Sequence, residues 1–171
     1  MRKHALASLA VLAFALAFSE TAHGCVCALS SEKLSPEKAR AALVTDFNGA
    51  AAVFSGKVVE ADKFKLKFKV NKVWKGEVGK EFVMSTGAKE YEDGSYSTSS
   101  CDYSFERGEE YLVYAYPVDP DTHPGSTDLQ ARQCTRTRLA KQAKQEMKEL
   151  DEITVQPDSS TRNLMFKRDD E

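Results

Sequence analysis

The sequence predicts a mainly β protein: a five- to six-stranded Greek-key barrel of the OB type, flanked by α-helices and fastened by two disulfides. Three observations carry that expectation. From residue 52 onward, apolar residues recur with period two in short runs separated by turn signals. A helical pattern precedes these runs and another follows them. Four cysteines, Cys25, Cys27, Cys101 and Cys134, form an even set in a chain that begins like an exported one. The strand number suits a partly open Greek-key barrel, with a plain β-sandwich as the alternative.

Residues 1–24 read as a signal peptide. Arg2, Lys3 and His4 form a basic start, and Ala5 to Phe18 is apolar or small apart from Ser8. Ala22 and Gly24 supply the small residues that signal peptidase requires, which places cleavage before Cys25. The apolar run is shorter than the roughly 20 residues of a spanning helix. A lipidated Cys25 is the weaker alternative, because the preceding residues lack the aliphatic position of such signals. Cleavage leaves 147 of 171 residues, enough for one ordinary core. It also removes Arg2, Lys3 and Glu20, moving the formal charge from −2 to −3. That balance argues against nucleic-acid binding and against attraction to an anionic membrane after signal cleavage.

Cys25 to Glu32 reads as extended or irregular. Ser35-Pro36-Glu37 starts a helix with an N-cap, a proline at the first position and an acid in the first turn. Ala39, Ala42, Leu43 and Phe47 continue it at helical spacing, and Asn48-Gly49 stops it. Ala52 to Val59 is the first strand, with Gly56 marking a bulge or coil. Phe64, Leu66, Phe68 and Val70 alternate with Lys63, Lys65, Lys67 and Lys69, giving a half-buried strand with an outward lysine row. The bland reading of that row is a solvated face that guards against edge pairing. Val73-Trp74-Lys75-Gly76 is expected as a turn and Glu81 to Ser85 as a short strand. Gly87 to Ser100 reads as a long polar excursion.

Tyr103 and Phe105 are expected to resume a strand before the turn at Arg107-Gly108-Glu109. Tyr111 to Tyr116 is the strongest strand signal in the chain. A loop follows over Asp119-Pro120-Asp121 and Pro124-Gly125, then a short strand from Leu129 to Cys134. Leu139, Ala143, Met147 and Leu150 predict an amphipathic helix from about Arg138 to Glu152. Pro157 ends the pattern, and residues 154–171 form a polar tail expected to be disordered.

Catalytic signals are sparse, and no enzyme activity or resident cofactor is expected. Of three histidines, only His123 survives signal cleavage, in a loop without a recognisable motif. A protein-built zinc site would need more histidines or free cysteines. Cys25-Val26-Cys27 is the most specific feature. As free thiols, the pair could bind a soft metal such as Cu(I) or exchange disulfides. Paired to each other, they would close a strained ring; paired elsewhere, they tie the N-terminus to Cys101 and Cys134 in one of two arrangements. In that form the α-amine and carbonyl oxygen of Cys25 could close a five-membered chelate on a metal ion, pre-ordered by the bridges.

The chain resembles the NTR-type domain of the tissue inhibitors of metalloproteinases. The matching features begin with Cys25-Val26-Cys27 directly after the signal and the strand Ala52-Val53-Phe54-Ser55-Gly56-Lys57-Val58. They continue through Phe68-Lys69-Val70 to Val73-Trp74-Lys75-Gly76, then Cys101-Asp102-Tyr103-Ser104-Phe105 with Gly108. Tyr111-Leu112-Val113-Tyr114-Ala115 follows, and Cys134-Thr135-Arg136-Thr137 precedes the last helix. The likeness covers Cys25 to about Leu150 and implies one NTR-like, OB-type domain over residues 25–153.

The resemblance implies bridges Cys25–Cys101 and Cys27–Cys134. It also implies a secreted, monomeric, extracellular inhibitor of zinc metalloproteinases. The Cys25 amine and carbonyl would cap the catalytic zinc of the protease in trans, at its open coordination position. Val26 would point to the specificity pocket, and Cys27, Ala28, Ser99 and Ser100 would complete the contact ridge. This chain departs from the family in four ways. A third disulfide and a cysteine-rich C-terminal domain are absent, Asp102 stands where the family usually has glycine, and the Pro36–Phe47 helix lengthens the segment after Cys27. The competing function is a non-inhibitory extracellular NTR interaction module, since fold alone does not establish activity.

Overall fold

The computed structural model describes Cys25, Cys27, residues 34–121, His123 and residues 125–155. The expected signal peptide, the extended segment after Cys27, Val26, Ala28 and the tail beyond Val155 lie outside the described residues. The chain runs α1 (Pro36–Gly49), β1 (Ala52–Ala61), β2 (Lys65–Lys75), β3 (Glu81–Ser85), β4 (Lys89–Glu90) and β5 (Tyr96–Ser97). It continues through β6 (Glu110–Pro117), β7 (Leu129–Gln130), β8 (Arg138–Leu139), a 3-10 turn (Ala140–Gln142) and α2 (Lys144–Val155).

The protein is mainly β, with an antiparallel six-stranded sheet, two α-helices and two disulfides. Strands run in the order β3-β2-β1-β6-β7, and β8 also pairs with β6. Three consecutive strands, with β6 returning beside the first, make the Greek-key order. The sheet does not close into the expected barrel: β3 and β7 are not hydrogen-bonded, although some of their Cα atoms lie within 8 Å. β4 and β5 form a separate two-stranded hairpin within the Gly87–Ser100 excursion.

Curvature comes from β1. Its pairing with β2 shifts register at three places, one of them between Ser55 and Gly56. A Cβ on Gly56 would stand 3.0 Å from the Lys69 carbonyl oxygen and 3.3 Å from the Val70 Cα. Glycine therefore permits the close strand approach that the bulge requires. Asp62 closes the hairpin, its carboxylate accepting from the Phe64 and Lys65 amides at 2.7 Å each.

Strand alternation sends side chains into two cores. The inner face gathers Phe54, Val58, Phe68, Met84, Tyr111 and Val113. Phe68 meets Phe54 and Phe105 edge-on, with centroids 5.4 and 5.3 Å apart, an arrangement that the ring quadrupoles favour. The outer face puts Val53, Leu112 and Tyr114 against Leu43 of α1 and Leu150 of α2. β6 is thus buried on both sides, which explains its unbroken apolar run. The lysine row of β2 faces outward as expected. Acids from neighbouring segments answer it: Lys67 pairs with Glu60 and Glu81, and Lys65 with Asp128.

Four expected elements differ. The expected turn at Val73 to Gly76 is mostly strand, since β2 runs through Trp74 to Lys75. Tyr103 and Phe105 lie outside any strand; their rings pack into the inner core while the Tyr111 hydroxyl accepts from the Glu106 amide at 2.9 Å. Their alternation records burial rather than a ladder. The strand expected from Leu129 to Cys134 is only β7, extended by an isolated bridge between Asp102 and Arg132. The last helix starts at Lys144 rather than Arg138, because Arg138 and Leu139 pair with Leu112 and Tyr111 of β6. At the other end α1 follows the sequence closely: Ser35 Oγ accepts from the Lys38 amide at 3.3 Å, and Pro36 opens the helix.

Candidate functional site

Three segments distant in sequence meet at Cys25. Cys25 is bridged to Cys101 and Cys27 to Cys134, with Cα separations of 5.0 and 5.2 Å. This is the pairing that the resemblance implies. The bridges lie side by side, with the Cys25 and Cys134 sulfurs 4.0 Å apart. No free cysteine remains among the described residues, so the thiol and copper reading loses its ligands.

The segment before Cys101 is a tight turn. The Asp102 amide donates to the Ser99 carbonyl at 3.0 Å. In return the Ser99 amide donates to Asp102 Oδ2 at 2.7 Å, and the Cys101 amide donates to Ser99 Oγ at 3.1 Å. The third segment is fastened alongside: the Gln133 amide donates to the Cys101 carbonyl at 2.8 Å, and the Tyr103 amide to the Ala131 carbonyl at 3.2 Å. Within this frame the Cys25 nitrogen donates to Ser100 Oγ at 3.0 Å. Ser99 and Ser100 are exposed, and Cys25 and Cys27 are half-buried. The structure therefore brings together Cys25, Cys27, Ser99, Ser100, Cys101 and Cys134.

A cavity of about 290 Å³ opens beside the turn, with Ser99, Asp102, His123, Gln130 and Arg132 among its lining residues. His123 Nε2 faces the Ala88 carbonyl oxygen at 3.3 Å. Among the described residues, no three His, Cys, Asp or Glu side chains converge as a metal site would require.

Behind the site a buried polar network holds the helices to the segment after Cys134. Glu146, only 6% exposed, accepts from the Tyr114 hydroxyl at 2.8 Å and from Arg136 Nη1 at 3.2 Å. Arg138 pairs with the same carboxylate. Arg136 Nε reaches Asp46 of α1 at 2.5 Å, and Thr137 Oγ1 accepts from the Tyr114 amide at 3.0 Å. Burial, and after it the Glu146 charge, pushes the Tyr114 phenol well above its ordinary value.

Sequence reasoning placed Ser99 and Ser100 near Cys25 by resemblance alone. It missed the part played by Asp102, whose Ser99-x-x-Asp102 spacing was the available signal for a side-chain-closed turn. No protein-family model and no curated protein matches the chain.

Proposed function

We propose that the chain is an exported inhibitor of zinc metalloproteinases with no catalytic step of its own. Cleavage before Cys25 would turn the Cys25 nitrogen into a free α-amine. That amine and the Cys25 carbonyl oxygen would chelate the zinc of an extracellular protease and displace its attacking water. The curved Greek-key sheet would serve as an OB-like, NTR-type frame left open between β3 and β7. The disulfides suit an oxidising compartment, and no helix among the described residues is long and apolar enough to cross a membrane.

The observation that carries the proposal is the Cys25 nitrogen, 3.0 Å from the exposed Ser100 hydroxyl on a residue bridged to Cys101. A chain end fastened in this way loses little freedom on binding, so more of the contact energy becomes affinity. The reference pKa of an α-amine is about 8, and only its neutral form can ligate, so inhibition should weaken toward acid pH.

The test compares the chain starting at Cys25 with one carrying a single extra N-terminal residue, against catalytic domains of several zinc proteases. Inhibition should vanish on extension. Equal potency of the two forms, or no inhibition by the verified Cys25 form, would overturn the proposal. A second reading, a non-inhibitory interaction module, has its own support in the β4–β5 hairpin, where Tyr91 and Tyr96 are 44% and 49% exposed. Binding to an extracellular partner that persists after N-terminal extension and is lost on replacing both tyrosines would favour it.

A further inference from the structure

We infer that Asp102 is a positioning residue for the Cys25 terminus: seated against Gly87, its carboxylate sets the turn that brings Ser100 to the Cys25 nitrogen. The inference rests on the proposed inhibitory reading and adds to it the side chain on which the ridge geometry depends.

The seat is specific. Gly87 has φ +92°, a conformation that residues with a Cβ rarely adopt. A Cβ there would stand 2.4 Å from Asp102 Oδ1, 2.6 Å from its Cγ and 3.0 Å from Gln130 Oε1. The carboxylate thus occupies space that any other residue at position 87 would fill. Gly87 itself follows the end of β3, and its amide donates to Ser85 Oγ at 3.0 Å. From this anchored position Asp102 Oδ2 takes the Ser99 amide at 2.7 Å, a charge-assisted bond stronger than a neutral one. Ser100 is the next residue, and its hydroxyl accepts from the Cys25 nitrogen.

On its other side Asp102 is bridged through its backbone to Arg132, two residues before Cys134. Asp102 therefore joins the sheet end, the Cys101 segment and the Cys134 segment. The Cys25–Cys101 disulfide fixes a separation but leaves rotatable bonds. The carboxylate removes the freedom of the turn that carries Ser100.

The test uses the full mature chain starting at Cys25, with variants D102A, D102N and G87A and the double variant G87A/D102A. Three quantities are read: inhibition of a zinc protease catalytic domain, hydrogen exchange of the Ser99 amide, and the titration of the Cys25 α-amine followed by NMR. D102A should weaken inhibition and speed Ser99 exchange by about tenfold each, the scale of one lost charge-assisted bond. It should also lower the amine pKa, because an oxygen acceptor favours the ammonium form. D102N keeps an acceptor oxygen and should restore most of all three. G87A should match D102A, and the double variant should be no worse than either, as expected for one shared mechanism.

A purely structural role would lower the denaturation midpoint and leave the amine titration where it was. Unchanged titration and unchanged Ser99 exchange in D102A would overturn the inference. Should the parent chain inhibit no zinc protease while D102A still moves the amine titration, the inhibitory reading fails and the positioning role stands.

Discussion

Removing the two bridges one at a time should give similar losses of stability, and removing both should cost more than the sum of the two. Cys25–Cys101 spans 76 residues and Cys27–Cys134 spans 107. By loop-closure entropy, either bridge alone would stabilise the fold by about 4.5–5 kcal/mol. The bridges overlap, however. With one in place, the second closes only the circuit from Cys25 to Cys27 and from Cys101 to Cys134, about 35 residues, worth about 4 kcal/mol. Cys27→Ser with Cys134→Ser should therefore cost about 4 kcal/mol, and Cys25→Ser with Cys101→Ser about the same. Loss of all four cysteines should cost about 8.5 kcal/mol, about 0.5–1 kcal/mol more than the two single losses together. That total is comparable to the whole stability of an ordinary domain, about 5–15 kcal/mol. Urea unfolding of the chain starting at Cys25, without reductant, measures each value. A single-bridge loss below about 1 kcal/mol, or a double loss smaller than the sum of the singles, would refute the reasoning.

Two further outcomes follow from the network behind the site. Glu146→Ala removes the acceptor shared by Tyr114, Arg136 and Arg138. It should cost about 3 kcal/mol in urea unfolding, whereas Glu146→Gln, which keeps an acceptor for the Tyr114 hydroxyl, should cost about half as much. Burial raises the phenols of Tyr114, Tyr103 and Tyr116 above the ordinary value of 10.0. The folded state then holds protons that the unfolded chain releases, so stability is full below about pH 10 and falls above it. Tyr114→Phe should make that alkaline loss shallower in urea midpoints taken between about pH 9 and pH 12, and an unchanged slope would assign it to other groups.

The elements that the sequence revealed are those where one local rule meets no rival. Ser35-Pro36 opens α1 because cap and proline act within a single turn. β2 alternates cleanly because only one of its faces is buried along Leu66 and Phe68. Gly56 marks a bulge because the Lys69 backbone comes too close for a side chain. Where tertiary contacts compete, the pattern misleads. Leu139, Ala143, Met147 and Leu150 share helical spacing, yet Leu139 is paired with Tyr111 and a 3-10 turn intervenes before α2. Tyr103 and Phe105 alternate as strand residues do, but aromatic packing with Tyr111 rather than a ladder holds them.

The candidate site lies almost wholly on the illegible side of that division. Cysteine count predicts two bridges but leaves two pairings open, because spacing says nothing about which chain segments the sheet carries to one end. Cys25 and Ser100 are 75 residues apart, and their contact depends on β3, the excursion and β6 ending where they do. The Ser99-x-x-Asp102 spacing hints at a turn closed by the Asp102 side chain, but the seat of that carboxylate on Gly87 is a fact of packing. In the proposed inhibitor, this division has a functional meaning. The sheet residues that the sequence announces would supply stability. The turn residues that it conceals, Ser99 to Asp102, would fix the direction of one nitrogen lone pair. Direction at a metal is a demanding requirement, since chelation fails when the donor atoms are misaimed even if they remain nearby. Two adjacent bridges joined by a carboxylate-closed turn are a physical means of keeping that alignment.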